Sequence, residues 1–476
     1  MNSPTLRRAR WMGALLWPCL VLAASPYPDM EARLAQLRGD PPALYAFLLR
    51  MPKGGDLHNH LTGAVYAESY IDAAAEDGLC ANLRAGSLVF PNPGGGCGEG
   101  EVPAARAAAD NTLRNALIDS LSMRNFVPGR ESAHDHFFGV FAKFNAVKPE
   151  HRGAFLAEMT RRAAEQNESY LEVMAINGKP VNALADRIGW SDDFEFTQQQ
   201  LLAGGLDSVV GQLRARIGDI DKARRMALGC DKEPHAPACR VVVRYVFEVL
   251  RESPRQQVFA EALAGFRLAT VEPLVVGVNF VQAEDGVISM RDYHLHMRIV
   301  QHLRQTYPKV HVSLHAGELG PGLVPPEGLR FHIREAVEIA GAERIGHGAD
   351  LGYENDSQGL LKLMRQNHVM VEINLTSNDL ILGVRGQDHP LPEYLKAGVP
   401  VAISTDDEGV SRTHLTQEFL RAELTYKLSY ADLKEMVRNS LKYAFVEEAE
   451  KARLESDLEE KLREFEVSAV HSLSRR

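Results

Sequence analysis

The sequence predicts one (β/α)8 barrel, an α/β fold in which eight parallel strands alternate with outer helices. Short apolar runs rich in β-branched residues recur between longer stretches with the apolar spacing of helices. Each run ends in polar or glycine-rich sequence, as a buried parallel strand does. Because the 476 residues contain no internal repeat and no low-complexity tract, we assign these units to a single barrel.

Eight apolar runs define the predicted strands. They lie at residues 55–61, 169–175, 241–249, 274–280, 310–315, 344–347, 369–374 and 399–405. The alternation with helices is clearest after Val241. Four intervening stretches have the spacing of outer helices, at residues 254–268, 293–305, 328–340 and 358–365.

Two intervals are longer than a βα unit requires, those after the first and second predicted strands. They cover residues 62–168 and 176–240. The first contains a stretch dense in glycine and proline at residues 90–100, and the second contains the segment between Cys230 and Cys239. We expect both intervals to be elaborated loops over one rim of the barrel, where loops shape a substrate pocket.

Residues 1–24 have the pattern of a secretory signal peptide. Arginines within residues 7–10 precede an apolar run at residues 11–23, which ends in small residues. The short run favours cleavage near Ala24 over the alternative, an uncleaved membrane anchor. The protein is therefore expected to be exported, to the periplasm or outside the cell. The predicted divisions of the chain that follow are a helical lead-in at residues 25–51, the barrel at 52–446 and a charged helix at 447–476.

The cysteines agree with export. Four remain after the signal peptide, and an even number suits an oxidising compartment. The short loops favour pairing Cys80 with Cys97 and Cys230 with Cys239, with free thiols as the alternative. None has the paired CxxC spacing of a structural zinc site.

The overall charge excludes one class of partner. The formal net charge is -10 at pH 7, whereas binding to nucleic acid requires clustered Lys and Arg. We expect no nucleic-acid partner, and no stable membrane association once the signal peptide has been cleaved.

Two histidines at the end of the first predicted strand are candidate metal ligands. His58 and His60 are two residues apart, so the alternation of a strand points both imidazoles to one side. Two nitrogen ligands on one face suit a divalent metal. An HxH pair alone is a weak signal, and structural or surface histidines are the alternative.

Further candidates stand at the ends of later predicted strands. These residues are His315, His347, Asp406 and Asp407, and each follows an apolar run. In a (β/α)8 barrel the carboxyl ends of all strands meet at one rim. Because packing explains such a set poorly, we expect a metal site on that rim.

The runs around these residues together resemble the adenosine deaminase family of the amidohydrolases. They are DLHNHLTG at 56–63, HAGE at 315–318, RIGHG at 344–348, EINLTSN at 372–378 and STDD at 404–407. The signal peptide and the Glu284–Asp285 pair look most like the secreted, growth-factor-type branch of that family.

The resemblance implies a set of metal ligands. His58, His60, His315 and Asp406 would bind one zinc per chain and leave a position for water. Zinc activates a bound water for attack on an electron-poor ring carbon. Iron or cobalt could occupy the same ligands.

Three further roles follow from the resemblance. His347 would orient or deprotonate the water, and Glu318 would protonate N1 of a purine. Asp407 would hydrogen-bond N7 of the base. From its position alone, Glu318 could instead be a partner that orients His315.

The sequence departs from the family pattern at the substrate. Gln282 stands where the family has a glycine whose backbone donates to purine N3, so its side chain could narrow the base pocket. Thr62 stands where many members carry an acidic residue that meets the ribose 5′-hydroxyl. Glu408 replaces a proline that usually follows the aspartate pair.

The resemblance implies a hydrolase that converts adenosine or 2′-deoxyadenosine to inosine or deoxyinosine and ammonia. The departures keep other aminopurines open, namely adenine or an N6-substituted adenosine. A catalytically inactive nucleoside-binding or signalling protein is the alternative from another class, although the presence of Glu318 and Asp407 argues against it. The expected partner is a small purine nucleoside, and a homodimer is compatible with the sequence.

Overall fold

A closed barrel of parallel strands lies at the centre of the computed structural model, which describes residues 27–471. In chain order the strands are β1 (Gly54–His60), β2 (Cys80–Asn82), β3 (Ser87–Val89), β4 (Glu101–Pro103), β5 (Glu168–Asn177), β6 (Val242–Leu250), β7 (Val275–Val281), β8 (His311–Ala316), β9 (Arg344–His347), β10 (Met370–Ile373) and β11 (Val401–Ile403). The barrel consists of β1 and β5–β11, each next to its neighbour in sequence. The predicted (β/α)8 fold is confirmed.

Two backbone hydrogen bonds close the barrel between its first and last strands. The Asp406 N–H donates to the His58 carbonyl at 2.9 Å, and the His60 N–H donates to the Asp406 carbonyl at 3.2 Å. Closure therefore fixes the position of Asp406 relative to the two histidines of β1.

Two helices precede the barrel, α1 (Pro28–Leu37) and α2 (Pro41–Arg50). The lead-in predicted at 25–51 is thus interrupted after Leu37. Proline fits only the first turn of a helix, and the Asp40 side chain caps the second helix by accepting from the Ala43 N–H at 3.1 Å. The predicted signal peptide, residues 1–24, lies outside the described residues.

The interval between β1 and β5 is mostly helical rather than irregular. Its helices are α3 (Leu61–Ala64), α4 (Ala67–Glu76), α5 (Ala104–Ala109), α6 (Asn111–Ser120), α7 (Ala133–Lys143) and α8 (Arg152–Glu165). Strands β2–β4 form a small antiparallel sheet between α4 and α5. A disulfide joins Cys80 to Cys97, with Cα atoms 5.7 Å apart.

The interval between β5 and β6 is also helical. Its helices are α9 (Asn182–Ile188), α10 (Phe194–Ala203), α11 (Leu206–Ala227) and α12 (Pro237–Arg240). A second disulfide joins Cys230 to Cys239. Both disulfides are the pairings that the short loops favour.

The remaining helices follow the later strands. They are α13 (Arg255–Val271), α14 (Val287–Thr306), α15 (His332–Glu338), α16 (Ser357–Gln366), α17 (Leu375–Leu382), α18 (Leu391–Ala397), α19 (Glu408–Ser411), α20 (Leu415–Tyr426), α21 (Tyr430–Lys442) and α22 (Glu448–His471). The helix predicted at 328–340 begins only at His332, because a 3₁₀ turn occupies Pro326–Leu329. Within residues 27–471, no helix is both long enough and apolar enough to cross a membrane.

The core lies between the strands and the surrounding helices. Helix α13 is covered on most of its surface, by β6 and β7 on one side and α9 and α11 on the other. Helix α22 packs on the lead-in, where the Phe47 and Phe465 ring centroids are 5.0 Å apart. The packed helices hold the strands rigidly, so the side chains at the strand ends have fixed positions.

Candidate functional site

Four predicted metal ligands meet at the carboxyl ends of β1, β8 and β11. The Nε2 atoms of His58 and His60 lie 3.1 and 3.2 Å from Nε2 of His315. The Oδ1 atom of Asp406 lies 3.6 Å from His58 Nε2 and 3.4 Å from His60 Nε2. Four tetrahedral ligands at about 2.1 Å from one metal are roughly 3.4 Å apart, so the spacing fits a single divalent ion.

His347 lies beside this group. Ligand atoms of His58, His315, His347 and Asp406 are all within 4.8 Å of one another, so this set could also hold a metal. However, His347 Nε2 lies 3.9 Å from Asp406 Oδ2, farther than His60 Nε2 is from Asp406 Oδ1. The shorter contacts favour His60 as the fourth ligand and leave His347 adjacent to the centre.

Hydrogen bonds behind the ligands fix their orientation. His58 Nδ1 lies 2.6 Å from the Glu372 carboxylate, and His315 Nδ1 lies 2.8 Å from Asn279 Oδ1. In each case the hydrogen-bond acceptor keeps the proton of the histidine on Nδ1. The lone pair of Nε2 then points at the centre and can bind a metal. Ser377 donates to Oδ2 of Asp406 at 2.5 Å, which turns Oδ1 toward the histidines.

The electrostatics of the ligands agree with metal binding. Burial lowers the pKa of His58 and of His315, so both rings are neutral and can donate a lone pair. Burial also lowers the pKa of His60, but Asp407 and Glu248 outweigh it and raise the pKa to about 9. Binding of a cation at His60 would therefore displace a proton.

Glu318 and His347 face each other next to the ligands. His347 Nε2 lies 3.6 Å from Oε1 of Glu318, and the Nδ1–H donates to Asn378 at 2.9 Å. Burial, with a contribution from Asp406, raises the pKa of Glu318 to about 7. A carboxyl with this pKa can give and take a proton near neutrality.

Asp407 points into the same space. Burial and the neighbouring Asp406 raise its pKa well above the ordinary value, and its Oδ1 atom has no hydrogen-bond partner within the described chain. Gly63 makes room for this carboxyl: a Cβ on Gly63 would lie 1.5 Å from Asp407 Oδ1. A buried, unpaired carboxyl in this position is available to a ligand.

Three site residues have left-handed backbone conformations. The φ angles are 82° for Gln282, 70° for His347 and 60° for Asp406. Non-glycine residues rarely adopt this region, and such strain concentrates at functional sites. Gln282 therefore keeps the backbone shape that a glycine favours at this position.

The residues that differ from the family pattern lie on the cavity wall or behind it. The Gln282 side chain does not fold freely into the pocket, because its Oε1 accepts from the Glu252 N–H at 3.0 Å. Thr62 is exposed toward the cavity, and its carbonyl accepts from the Tyr70 hydroxyl at 2.7 Å. The buried Glu408 forms an ion pair with Arg162 at 2.9 Å, so it supports the rim from behind.

A cavity of about 530 Å³ joins these residues. Its inner end contains His60, His315, Glu318, Asp406 and Asp407. The outer wall is formed mainly by the two helical intervals, and the lining there is aromatic or polar: Phe137, Phe138, Phe141, Phe144, Asn145, Arg152, Asn177 and Lys179. The volume lies in the range of small-molecule sites.

Several supporting residues were not predicted as site residues from the sequence. Glu284 accepts from the N–H groups of Gly317 and Glu318 at 3.1 and 2.8 Å, and from His332 Nδ1 at 2.5 Å. It therefore holds the turn that carries the Glu318 carboxyl. The available signal was an acidic residue directly after an apolar strand.

A buried charge network supports His58. Arg344 contacts Glu172 at 2.6 Å and Glu372 at 2.7 Å, and Glu372 in turn contacts His58. Charged residues within otherwise apolar strands were the sequence signal, since buried charges are usually paired.

Comparison with known families gives one matching family model. The model, described as adenosine deaminase, matches residues 225–461. Among curated proteins, an adenosine deaminase from Clostridium perfringens is 35% identical over 144 residues, which are 30% of this chain and 40% of that protein. The chain therefore spans less than half the length of this relative.

Two solved structures share the fold. An adenine deaminase from Arthrobacter aurescens has a TM-score of 0.57 and 19% identity, covering 87% of this chain and 99% of the other. An amidohydrolase from Burkholderia ambifaria, solved with bound Zn, has a TM-score of 0.57 and 16% identity, covering 90% and 94%.

Proposed function

The chain belongs to the adenosine deaminase family of the amidohydrolase superfamily, and on this premise we propose that it deaminates adenosine or 2′-deoxyadenosine by hydrolysis. The products are inosine or deoxyinosine and ammonia. One observation carries the proposal: three histidines and an aspartate at metal-ligand spacing lie at the end of a cavity that two buried carboxyls, Glu318 and Asp407, also line.

His58, His60, His315 and Asp406 are the proposed ligands of one zinc ion. The neutral Nε2 donors and fixed Nδ1 protons of His58 and His315 support this set, as do the spacing near 3.4 Å and the zinc in the structurally similar amidohydrolase. Zinc supplies Lewis-acid activation of a water molecule. Metal analysis of gently purified protein should give about one zinc per chain, whereas two ions per chain would contradict the single site.

Glu318 and His347 are assigned to the proton transfers of the reaction. Glu318 protonates N1 of the purine, which makes C6 electrophilic, while His347 accepts a proton from the attacking water. The C6–amino bond breaks as His347 returns that proton to the amino group, so ammonia leaves. The remaining hydroxyl proton at C6 goes to Glu318, and the product keeps the proton on N1.

Recognition of the base is assigned to Asp407 and the aromatic wall. The raised pKa of Asp407 supports a protonated carboxyl that donates to N7. Phe138 and Phe141 line the same cavity, and we assign them to packing against a flat base. Gln282 and Thr62 line the remaining wall and are assigned to the base and the sugar, respectively.

A related substrate is the second candidate. Gln282 and Thr62 differ from the family pattern, and one structurally similar protein is an adenine deaminase. Deamination of adenine or of an N6-substituted adenosine uses the same ring atoms and the same protons.

Export to the periplasm or the cell exterior is also proposed. The basic and apolar sequence before Ala24 and two disulfides within the described chain support it.

An ultraviolet assay on metal-loaded protein tests the function. Adenosine, 2′-deoxyadenosine, adenine and N6-methyladenosine are compared, and one of the first two should have the highest kcat/KM. Glu318→Gln should retain the metal and lose at least about 10²-fold in kcat, the lower range for general acid catalysis. Glu327→Gln, an exposed site on the same rim, is the matched control. Near-normal activity of Glu318→Gln would overturn its proton-transfer role.

A further inference from the structure

A buried arginine lies behind the proposed proton donor. Arg251 directly follows β6 and is only 1% exposed, and the proposed reaction gives it no role. An arginine keeps its positive charge in proteins, so this side chain is a permanent cation behind the cavity. Burial of such a charge is unfavourable unless the surroundings satisfy its donors and its charge. The partners of the three guanidinium nitrogens therefore indicate what Arg251 does.

Two of these nitrogens hold the main chain at the ends of neighbouring strands. The Nε atom donates to the Gln282 carbonyl at 2.8 Å, and Nη1 donates to the His315 carbonyl at 3.2 Å. Gln282 directly follows β7, and His315 is a proposed metal ligand in β8. Arg251 therefore joins the ends of three barrel strands.

The third nitrogen faces the proposed proton donor. Nη2 of Arg251 is buried and has no hydrogen-bond partner within residues 27–471. The Oε2 atom of Glu318 lies 4.0 Å from it. This distance is about 1 Å longer than a charge-assisted hydrogen bond between a guanidinium and a carboxylate. A small movement of the Glu318 side chain would therefore form that bond.

Two carboxyls lie close enough to feel the charge of Arg251, but only one of them lacks donors. Burial opposes the ionisation of Glu284, but His332 and, to a smaller extent, Arg251 lower its pKa. The oxygens of Glu284 already accept from His332 and from the N–H groups of residues 317 and 318. The Glu318 carboxyl, by contrast, forms no hydrogen bond within the described part of the chain. Glu318 is therefore the carboxyl that can take up a new contact.

The charge of Glu318 changes during the proposed reaction, whereas that of Arg251 does not. Burial raises the pKa of Glu318 to about 7, so the carboxyl can carry the proton that it gives to N1. The transfer leaves a carboxylate in a buried position, where an unpaired charge is unfavourable. A cation nearby favours the charged form of a carboxyl, and Arg251 opposes the effect of burial in this way.

We propose that Arg251 is a positioning residue for the proton transfer, and that its Nη2 atom forms a hydrogen bond with the Glu318 carboxylate once the proton has moved to the substrate. The proton moves from the Glu318 carboxyl to N1, and Glu318 regains a proton from the hydroxyl at C6. Arg251 gives and takes none. This inference rests on the proposed deamination and adds a residue to its machinery.

Substitution of Arg251 in metal-loaded protein tests the proposal. Arg251→Met removes the charge and should lower kcat for adenosine by about 10-fold to 100-fold, the range for hydrogen bonds to charged groups, with a smaller change in KM. Arg251→Lys keeps a cation and should recover part of the loss. Arg255→Met is the matched control and should leave kcat unchanged, because Arg255 is partly exposed on α13 and its partner Asp292 keeps Arg291. Unchanged kcat in Arg251→Met, or equal losses in both Arg251 variants, would overturn the proposal.

A double substitution separates this role from a general loosening of the strand ends. The Glu318→Gln variant has no carboxylate to stabilise. Arg251→Met should therefore lower the remaining kcat of Glu318→Gln by a much smaller factor than it lowers that of the wild type. A purely structural role of Arg251 would give the same factor in both backgrounds and would contradict the assignment.

A stability measurement keeps the inference distinct from the proposed function. At a pH above the pKa of Glu318, Arg251→Met should lower the melting temperature of metal-loaded protein, because a buried carboxylate loses its cation. Adding Glu318→Gln should restore part of this loss, whereas adding Glu327→Gln, at an exposed glutamate, should not. This result would support the contact even if no deamination were found. Independent, additive effects of Arg251→Met and Glu318→Gln would overturn the contact even if adenosine were deaminated.

Discussion

The inner end of the cavity and its outer wall are built by different parts of the chain. The inner end consists of side chains at the ends of barrel strands, and buried hydrogen bonds from Glu372, Asn279 and Ser377 hold three of them, His58, His315 and Asp406. The outer wall consists of α7, α8 and the turn after β5, which belong to inserted segments. We therefore expect the barrel to supply the reacting groups of the proposed function and the insertions to select the substrate.

Among the changes that compare these two regions, the largest effect on activity is expected from Gly63→Ala at the inner end. The new Cβ would lie 1.5 Å from Asp407 Oδ1, so the carboxyl must leave its position. We expect kcat/KM to fall by about 10²-fold, the cost of a misplaced group in a site. Gly139→Ala in α7 is the control, since nothing lies within 4 Å of its Cβ. Equal losses of kcat/KM in the two variants would show that the inner end is no more sensitive to substitution than the outer wall.

A second change lowers the metal affinity of the inner end by altering a residue that hydrogen-bonds to a proposed ligand. Glu372→Gln removes the charge that faces His58 Nδ1 at 2.6 Å. Loss of such a partner typically costs about 10-fold to 100-fold in metal affinity, which a chelator competition would measure. Glu248→Gln should cost less, because its contact with His60 is 3.5 Å. A larger loss of metal affinity in Glu248→Gln than in Glu372→Gln would show that the length of the contact does not determine the affinity.

A smaller effect is expected at the outer wall from His134→Ala. His134 on α7 contacts Asp285, which follows β7, at 3.0 Å and thereby holds the aromatic helix over the cavity. Because partly exposed ion pairs contribute about 1 kcal/mol or less, KM should rise only about 2-fold to 5-fold, with little change in kcat. His294→Ala on α14 is the control, because the exposed His294 pairs with Glu335 of α15.

The stabilisation from the contact between His134 and Asp285 should depend on pH. Burial opposes the charged ring, but Asp285 and Asp135 raise the pKa of His134 to about 9, above an unfolded value of about 6.5. The stabilisation is therefore complete below about pH 6.5 and is lost as the pH rises through about 9. The difference in melting temperature between the wild type and His134→Ala should shrink over that window. A constant difference would contradict a charged pair.

The smallest effect on activity is expected from the disulfides of the insertions. Removing Cys80–Cys97 by a double substitution to Ser should lower the free energy of unfolding by about 3 kcal/mol, because it opens a loop of 17 residues. Removing Cys230–Cys239, with a separation of 9, should cost less. Denaturant unfolding measures both, and kcat should stay unchanged. A large loss of kcat in either variant would show that the insertions also support the inner end.

The sequence predicted the barrel because its signals are local. The apolar runs coincide with the strands to within a few residues, and the HxH spacing places both rings toward His315. Strand alternation and the convergence of parallel strand ends are sufficient for such a prediction. The metal ligands could therefore be proposed before any coordinates were known.

The insertions were predicted less well. Their length and rim position were evident, but their helical content and the placement of α7 against the cavity were not. The position of a helix outside the barrel repeat depends on side chains distant in sequence, such as His134 and Asp285. The supporting role of Glu284 was not predicted either, since its contacts with residues 317 and 318 form only in the folded barrel.

The sequence by itself determined the eight-stranded barrel and the residue types gathered at its strand ends, because both follow from short-range periodicity. Tertiary structure alone decided how those residues act together. It raised the pKa of Glu318 by burial, set Gln282 in a left-handed conformation and brought Arg152 and Lys179 to the cavity wall. These properties depend on solvent exclusion and on contacts between distant segments, which no local pattern encodes.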